Sequence, residues 1–324
     1  MIIPQYWAEG RKQHRQQGKQ VTVRRFGWSD IGQQDAQTNA DQRAEEALQR
    51  LLSGEKLARR EPKIPYNGAD GVPIREEILD RRGETIITRN SYGASCLNTP
   101  NVFFADVDFD KRSLHYSISV LSGLILILGV FVATYHHATL PGVGFILLGM
   151  FFPRIGRRIQ DSVTKLKGGE QKIAVDRIKT FIASNPMWNL RIYRTPAGLR
   201  VLATHQLFDP EDPSVASCFK ALGTDPIYMQ MCLRQICFRA RVSPKPWRIG
   251  IGDHMRPRPG TWPINEERLP IRNAWLARYQ TAAVAFASCK FIESLGSGVN
   301  HPDVLPIVEW HDELSRATTD LPIA

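Results

Sequence analysis

The chain has 324 residues, of which 43% are hydrophobic and 23% are charged. This composition is typical of a folded protein with a sizeable core, and it excludes a disordered chain, a collagen-like repeat and a small disulfide-linked scaffold. The mean hydropathy of −0.26 excludes a protein built mainly of membrane-spanning helices.

The net charge of +10 lies in the second part of the chain. Residues 1–110 carry 16 basic and 16 acidic side chains, and residues 111–324 carry the remaining 26 and 16. Such a basic region can attract nucleic acid, nucleotides or an anionic lipid surface. The five cysteines form no CxxC pair, which favours reduced thiols in a compartment such as the cytosol.

The first 84 residues are predicted to form a mostly helical segment. An aromatic and basic stretch ends at Trp28, and alanines and leucines then recur with helical spacing. The predicted elements up to residue 110 are a helix over 30–52, a loop over 61–73, a short helix over 74–80 and strands over 85–89 and 102–107.

Two apolar runs interrupt this pattern. The run 117–134 has no charge, and extended to 114–135 it would form a helix of roughly 33 Å, enough to cross a bilayer core. A second run, 139–152, is shorter. Basic residues flank the pair, and the connector at 135–138 is neutral. We therefore predict a transmembrane hairpin over 113–155 with both ends cytoplasmic; the alternative is a buried core hairpin.

The remainder of the chain predicts an α+β domain with a small sheet. We assign 85–110 together with 171–258 to a split core, and 259–324 to C-terminal helices that pack on it. The predicted elements are a helix over 171–184, strands over 190–193 and 199–203, a helix over 226–238, a Pro-rich segment over 243–270, and helices over 272–295 and 302–316.

The first candidate motif is FFADVDFD at 103–110. Asp106 and Asp108 alternate along a strand, so both side chains project from one face. Two carboxylates placed in this way suit Mg²⁺ or Mn²⁺. A metal held there could clamp a triphosphate for nucleotidyl transfer. The alternative is an apolar strand that ends in solvated acidic residues.

The second candidate motif is RIYRTPAGLRVLATH at 191–205. Two strands joined by a short turn carry Arg191, Arg194, Arg200 and His205. Alternation allows some of these arginines to share a face and contact phosphate. His205 could bind phosphate or transfer a proton; the alternative is a hydrogen-bonded histidine in the core or at its rim.

Together the two motifs resemble the core of the archaeo-eukaryotic primase and primase-polymerase superfamily. Asp106 and Asp108 match its DxD strand, and the hairpin with Thr195-Pro196-Ala197-Gly198 at its turn ends in the matching Ala203-Thr204-His205. The resemblance implies an RRM-like sheet, metal at the two aspartates and phosphate contact from the histidine. The family's later acidic motif has only Asp253 as a candidate. The predicted fold class is thus α+β, with a small RRM-like sheet and flanking helices interrupted by the inserted transmembrane hairpin.

The third candidate region is FRARVSPKPWRIG at 238–250. Four basic residues lie close to Trp247 in the sequence: Arg239, Arg241, Lys245 and Arg248. Basic groups with an aromatic ring can bind single-stranded nucleic acid through phosphate contacts and stacking. They could equally hold the domain against an anionic leaflet, or form a solvated face with the tryptophan as a core anchor.

Cys289, His301 and His311 could ligate zinc, but their spacing matches no zinc template, and Cys289 is predicted to be a core residue.

These observations predict a membrane-anchored protein whose bulk faces the cytoplasm. Its domain would bind nucleotides, or transfer nucleotidyl groups with Mg²⁺ or Mn²⁺, using Asp106, Asp108 and His205 with Arg194 and Arg200 beside them. The alternative is a non-catalytic membrane-associated module whose basic second half binds anionic lipid, nucleic acid or a protein partner.

Overall fold

The computed structural model describes residues 3–16, 19–61, 73–109, 112–135, 139–166, 168–258 and 260–324. The predicted loop over 61–73 falls almost entirely outside these residues, as do residues 136–138 of the predicted connector. The described chain is α+β, with one two-stranded and two four-stranded sheets, all antiparallel.

The chain begins with a β-ribbon and not with a helix. Strands β1 (Tyr6–Gln16) and β2 (Lys19–Ser29) pair in register, and helix α1 (Gln33–Leu52) covers one face of the ribbon. The physical reason lies in the sequence itself, where small or apolar residues such as Ala8 and Val23 alternate with polar ones. The predicted mostly helical segment therefore contains a strand pair before its helix.

Two glycines allow α1 to approach the ribbon closely. A Cβ atom on Gly10 or Gly27 would overlap the backbone of Ala40 in α1. Ala36, Ala40 and Ala44 have no exposed surface, so small residues line both sides of this contact. The sequence pattern sets the helix face, while the glycines set its distance from the ribbon.

The second sheet has the strand order β3-β4-β5-β9. Its strands are β3 (Glu77–Arg82), β4 (Thr85–Arg89), β5 (Ser95–Thr99) and β9 (Phe238–Arg241). The prediction of a short helix over 74–80 is wrong, because this stretch leads into β3, which pairs with β4. Strand β9 pairs with β5 although about 140 residues separate the two strands in the sequence, so a long-range pairing completes the second sheet.

The third sheet has the order β10-β7-β8-β6. Its strands are β6 (Phe104–Asp108), β7 (Asn189–Arg194), β8 (Gly198–Ala203) and β10 (Lys290–Gly296). The predicted helix over 272–295 instead divides into α7 (Leu269–Ala283) and β10. In β10 exposed and half-buried residues alternate, which is the two-residue period of a strand.

The main core joins the two four-stranded sheets to several helices. Phe103 stacks on Phe219 with 4.8 Å between ring centroids, and Phe238 of β9 packs on Phe103 at 5.3 Å. Four further helices of the described chain lie outside residues 112–166. They are α4 (Glu170–Ser184), α5 (Pro213–Leu222), α6 (Pro226–Gln235) and α8 (Leu305–Ser315).

Two helices pack on each other in the region of the two apolar runs. They are α2 (Arg112–Tyr135) and α3 (Thr139–Leu166), and the Ser122 hydroxyl of α2 donates to the Gly149 carbonyl of α3 at 2.7 Å. Within the described ranges, no helix is both long enough and apolar enough to span a membrane. The predicted transmembrane hairpin over 113–155 is therefore wrong.

The physical reason is clearest in α3, whose apolar run of 14 residues over 139–152 is about 21 Å long, less than a bilayer core of about 30 Å. In α3 the apolar run ends at Phe152, and the helix continues through Pro153 and Arg154 into a polar half.

The glycine contact on α1 yields the first prediction. Gly27→Ala places a methyl group against the Ala40 backbone, so we expect the free energy of unfolding to fall by about 1–3 kcal/mol, the usual cost of overpacking. Gly144→Ala in α3 is the control, because a methyl group added there would have no neighbouring atom within 4 Å. Urea denaturation of both variants measures the difference; equal stabilities would contradict the close packing of α1.

Candidate functional site

A polar cavity of about 280 Å³ opens between the second and third sheets. The turn between β4 and β5, strands β6 and β9, and helix α6 supply its walls. The lining residues used below are Glu76, Tyr92, Asp106, Arg239, Arg241 and Lys245. The cavity thus gathers residues from distant parts of the sequence, three of which belong to the predicted FRARVSPKPWRIG region.

Asp106 forms an ion pair with Arg200 at the back of this cavity. The two residues are direct neighbours across β6 and β8, and Arg200 Nε lies 2.8 Å from Asp106 Oδ1 and Nη2 lies 3.3 Å from Oδ2. The Arg200 side chain is only 3% exposed, compared with 29% for Asp106. Burial alone would lower the pKa of Arg200, but the Asp106 carboxylate raises it above its ordinary value.

Asp108 has a different environment from Asp106. It lies opposite Gly198 at the end of β6, and its side chain is exposed. Both oxygens of Asp106 already accept hydrogen bonds from Arg200. Among the described residues no group of three side chains could hold a metal ion. The two aspartates as placed do not fit a shared metal site, and Mg²⁺ or Mn²⁺ stays a prediction.

His205 lies away from the polar cavity. It follows the end of β8, five residues beyond Arg200, which corresponds to about 17 Å along a strand. Its ring packs on Trp188 at 4.6 Å and Phe208 at 5.5 Å, and its Nδ1 atom is buried without a hydrogen-bond partner. Burial lowers its pKa. The structure does not bring His205 together with the two aspartates.

Two further predicted phosphate ligands have structural contacts. Arg239 is buried, and its Nη2 atom lies 2.7 and 3.0 Å from the two carboxylate oxygens of Glu76. Arg194 donates to the Gly198 carbonyl at 2.9 Å and covers the ring of Phe109. Arg239 thus stabilises the second sheet, and Arg194 stabilises the turn between β7 and β8. Arg200 has a similar role, because it stabilises the pairing of β6 with β8.

Three other cations interact with one another near the polar cavity, and two of them, Arg241 and Lys245, line it. Arg241, Lys245 and Arg248 are all half-buried, and none forms an ion pair with a carboxylate side chain in the described part of the chain. Arg241 Nη1 donates to the Ser243 carbonyl and lies 3.4 Å from the oxygen of Ala324. Burial lowers the pKa of Lys245, and the positive charges of Arg241 and Arg248 lower it further, while Asp106 and Asp108 oppose this. Burial and Arg241 likewise lower the pKa of Arg248. These side chains repel one another, so an anion placed between them would be stabilised.

An aromatic cavity of about 330 Å³ adjoins the polar one. Tyr92 lines both cavities, and its ring meets that of Trp247 edge-on at 5.2 Å. Trp247 is 53% exposed, whereas Trp275 on the cavity wall is buried. The Lys245 ammonium lies 5.4 Å from the Trp247 ring centroid. The site therefore combines a cationic part with an aromatic part that is open to solvent.

No sequence pattern marks Tyr92 and Trp275 as members of this site. Tyr92 lies in a turn between two strands, and Trp275 lies in helix α7, so neither belongs to a recognisable motif. Only the pairing of β5 with β9 brings the turn beside residues 241–248. Of the predicted site residues, the structure brings together Asp106, Arg239, Arg241, Lys245 and Trp247.

A buried cluster lies behind Arg200. His311 Nδ1 lies 2.9 Å from Asp312 Oδ1, and its Nε2 atom lies 3.4 Å from Arg200 Nη1 and 4.0 Å from Cys289 Sγ. Burial opposes the imidazolium, but Asp312 and Cys289 raise the pKa of His311. Cys289 and His311 have no exposed surface, and Arg191 binds Asp312 at 2.6 Å. The cluster thus supports the fold and offers no access to substrate; His301, the third zinc candidate, contacts Asp303 instead.

The unequal roles of the two aspartates yield the second prediction. Asp106→Asn removes the charge that compensates buried Arg200, so we expect the free energy of unfolding to fall by about 2–3 kcal/mol. Asp108→Asn changes an exposed side chain, and we expect a change within about 0.5 kcal/mol. Chemical denaturation of both variants tests this. Equal stability of the two variants would contradict the structural role of Asp106.

Comparisons of the chain with protein-family models, with curated proteins and with solved structures find no match. The resemblance to the primase superfamily therefore stays a prediction.

Proposed function

We propose that the protein binds a nucleotide, with the phosphates at the mouth of the polar cavity and the base in the aromatic cavity. The observation that carries this proposal is that Arg241 and Lys245 line a cavity that shares Tyr92 with an adjoining aromatic cavity. The positive charge of Arg248 also acts on Lys245. Phosphate binding would relieve the mutual repulsion of the three cations.

The aromatic cavity suits the base of a nucleotide. A nucleobase presents two flat faces, and stacking on tryptophan or tyrosine stabilises a bound base by about 1–3 kcal/mol. Trp247 and Tyr92 offer such surfaces next to Lys245. The two cavities have volumes of about 280 and 330 Å³, and together they fall within the usual range for small-ligand sites.

The proposal retains nucleotide binding and not nucleotidyl transfer. A metal at Asp106 would compete with the Arg200 guanidinium for both carboxylate oxygens, and breaking that pair would leave a buried charge uncompensated. His205 lies beyond the end of β8, too far from the cavity mouth to act on a ligand there. A membrane location and an anionic lipid partner stay predictions from the sequence.

The third prediction concerns ATP as a probe, measured by isothermal titration calorimetry on the full chain. Lys245→Gln removes one charge-assisted contact, so we expect the Kd for ATP to rise by about tenfold or more. Trp247→Ala should weaken ATP binding but leave tripolyphosphate binding unchanged, because only ATP carries a base. Lys179→Gln, which changes an exposed lysine on α4, is the matched control.

Identical ATP affinity in wild type, Lys245→Gln and Trp247→Ala would contradict the proposed site. Absence of ATP binding to the folded wild-type protein would contradict the proposed function. Binding of adenosine alone with the affinity of ATP would contradict the role of the three cations.

The fourth prediction uses pH. The pKa of Lys245 lies below its ordinary value of 10.5 because burial and two neighbouring cations disfavour its charge. As pH rises, this lysine loses its proton earlier than an exposed lysine does, so we expect ATP affinity to fall already at pH values below 10.5. Lys245→Arg should abolish that dependence, since arginine keeps its charge. An identical pH profile in both proteins would contradict the assignment.

A further inference from the structure

The β1–β2 ribbon has two different faces. One face is covered by α1, and the backbone of Ala40 fills the space above Gly10 and Gly27. On the opposite face, in the half of the ribbon away from Trp7 and Trp28, every side chain is polar. These residues pair directly across the strands, as Arg11 with Arg24, Gln13 with Thr22, and Arg15 with Gln20.

This open face is basic. Arg11 and Arg15 are exposed, and neither forms an ion pair with a carboxylate in the described ranges of the chain. Arg24 pairs with Glu9 at 3.3 Å, but both side chains remain more than a third exposed. The segment that pairs with the edge of β2 adds the exposed side chain of Arg60, which lies beside Arg24. The face therefore carries a clear excess of positive charge.

We propose that this open ribbon face binds double-stranded DNA by lying in the major groove. The proposal is independent of the nucleotide site. Two strands about 4.8 Å apart, with their side chains, match a groove about 12 Å wide, which admits a two-stranded β-ribbon. The stretch from Arg11 to Arg15 spans about 14 Å, the length of about four base pairs.

The side chains suit the edges of base pairs as well as the phosphates. Arginine bonds the O6 and N7 atoms of guanine, and glutamine bonds the N6 and N7 atoms of adenine. Arg15 donates to Gln20 across the strands at 3.0 Å, and Gln20 donates to the Thr22 hydroxyl along β2 at 3.4 Å. A flat anionic membrane would use the charges but not this row of amide and hydroxyl groups.

The test is fluorescence anisotropy of a labelled B-form duplex of about 20 base pairs, titrated with the full chain at several salt concentrations. We expect Arg11→Gln and Arg15→Gln each to weaken binding about tenfold, and to reduce the slope of log affinity against log salt by about 1 where the arginine contacts phosphate. Both side chains are exposed, so the variants should keep the wild-type unfolding temperature.

The control is the double variant Arg234→Gln with Arg268→Gln. It removes two exposed arginines from other elements, and DNA affinity should stay within about twofold of wild type. Lys245→Gln should also leave DNA binding unchanged, which separates this surface from the nucleotide site.

Three results would overturn the proposal. The first is no binding of the duplex by wild type at low salt, and the second is unchanged affinity in the Arg11→Gln, Arg15→Gln double variant. The third is equal affinity for an RNA duplex, whose narrow major groove does not admit side chains. Loss of binding to anionic vesicles, and not to DNA, in the double variant would assign the face to a membrane surface instead.

Discussion

The ion pair between Asp106 and Arg200 holds the centre of this molecule together. It links β6 to β8 directly, and Arg200 also donates to the Arg241 carbonyl at 2.8 Å, which ties the third sheet to β9 of the second. On its inner side the same guanidinium contacts the buried His311. A buried charge of this kind is tolerated only while its partners stay in place, so the position of both sheets depends on it.

That constraint separates the arginines into two groups. Arg194, Arg200 and Arg239 lie within or beside strands, where carboxylates, carbonyl oxygens or aromatic rings meet their guanidinium groups. Arg241 and Arg248 lie at and beyond the end of β9, where no carboxylate side chain of the described residues pairs with them. The first group stabilises the wall of the polar cavity, whereas the Arg241 guanidinium, within the described chain, donates only to the oxygens of Ser243 and Ala324.

The sequence predicted the positions of individual strands better than it predicted which strands pair with each other. Short runs rich in apolar and β-branched residues indicated β4, β6, β7 and β8 nearly at their observed bounds. It could not predict that β9 joins β5 or that β10 follows α7, because these depend on pairings between distant residues. The sequence also placed Asp106 and Asp108 on one face of β6, in agreement with the strand register. It could not show that Arg200 binds the carboxylate of Asp106.

The net charge of a sequence segment likewise does not show where its charges lie in the fold. Residues 1–110 are neutral as a whole, so net charge directs attention to the second part of the chain. The fold, however, sorts these charges in space. Asp35, Asp41, Glu45 and Glu46 lie on α1, which covers one face of the ribbon, while Arg11 and Arg15 lie on the other. The acidic side chains and these two arginines therefore lie on opposite sides of the ribbon and its helix. Their charges cancel in the net charge of the sequence segment, but not at the open face of the ribbon. A large ligand approaches one face at a time, and at physiological salt the nearby charges dominate its interaction.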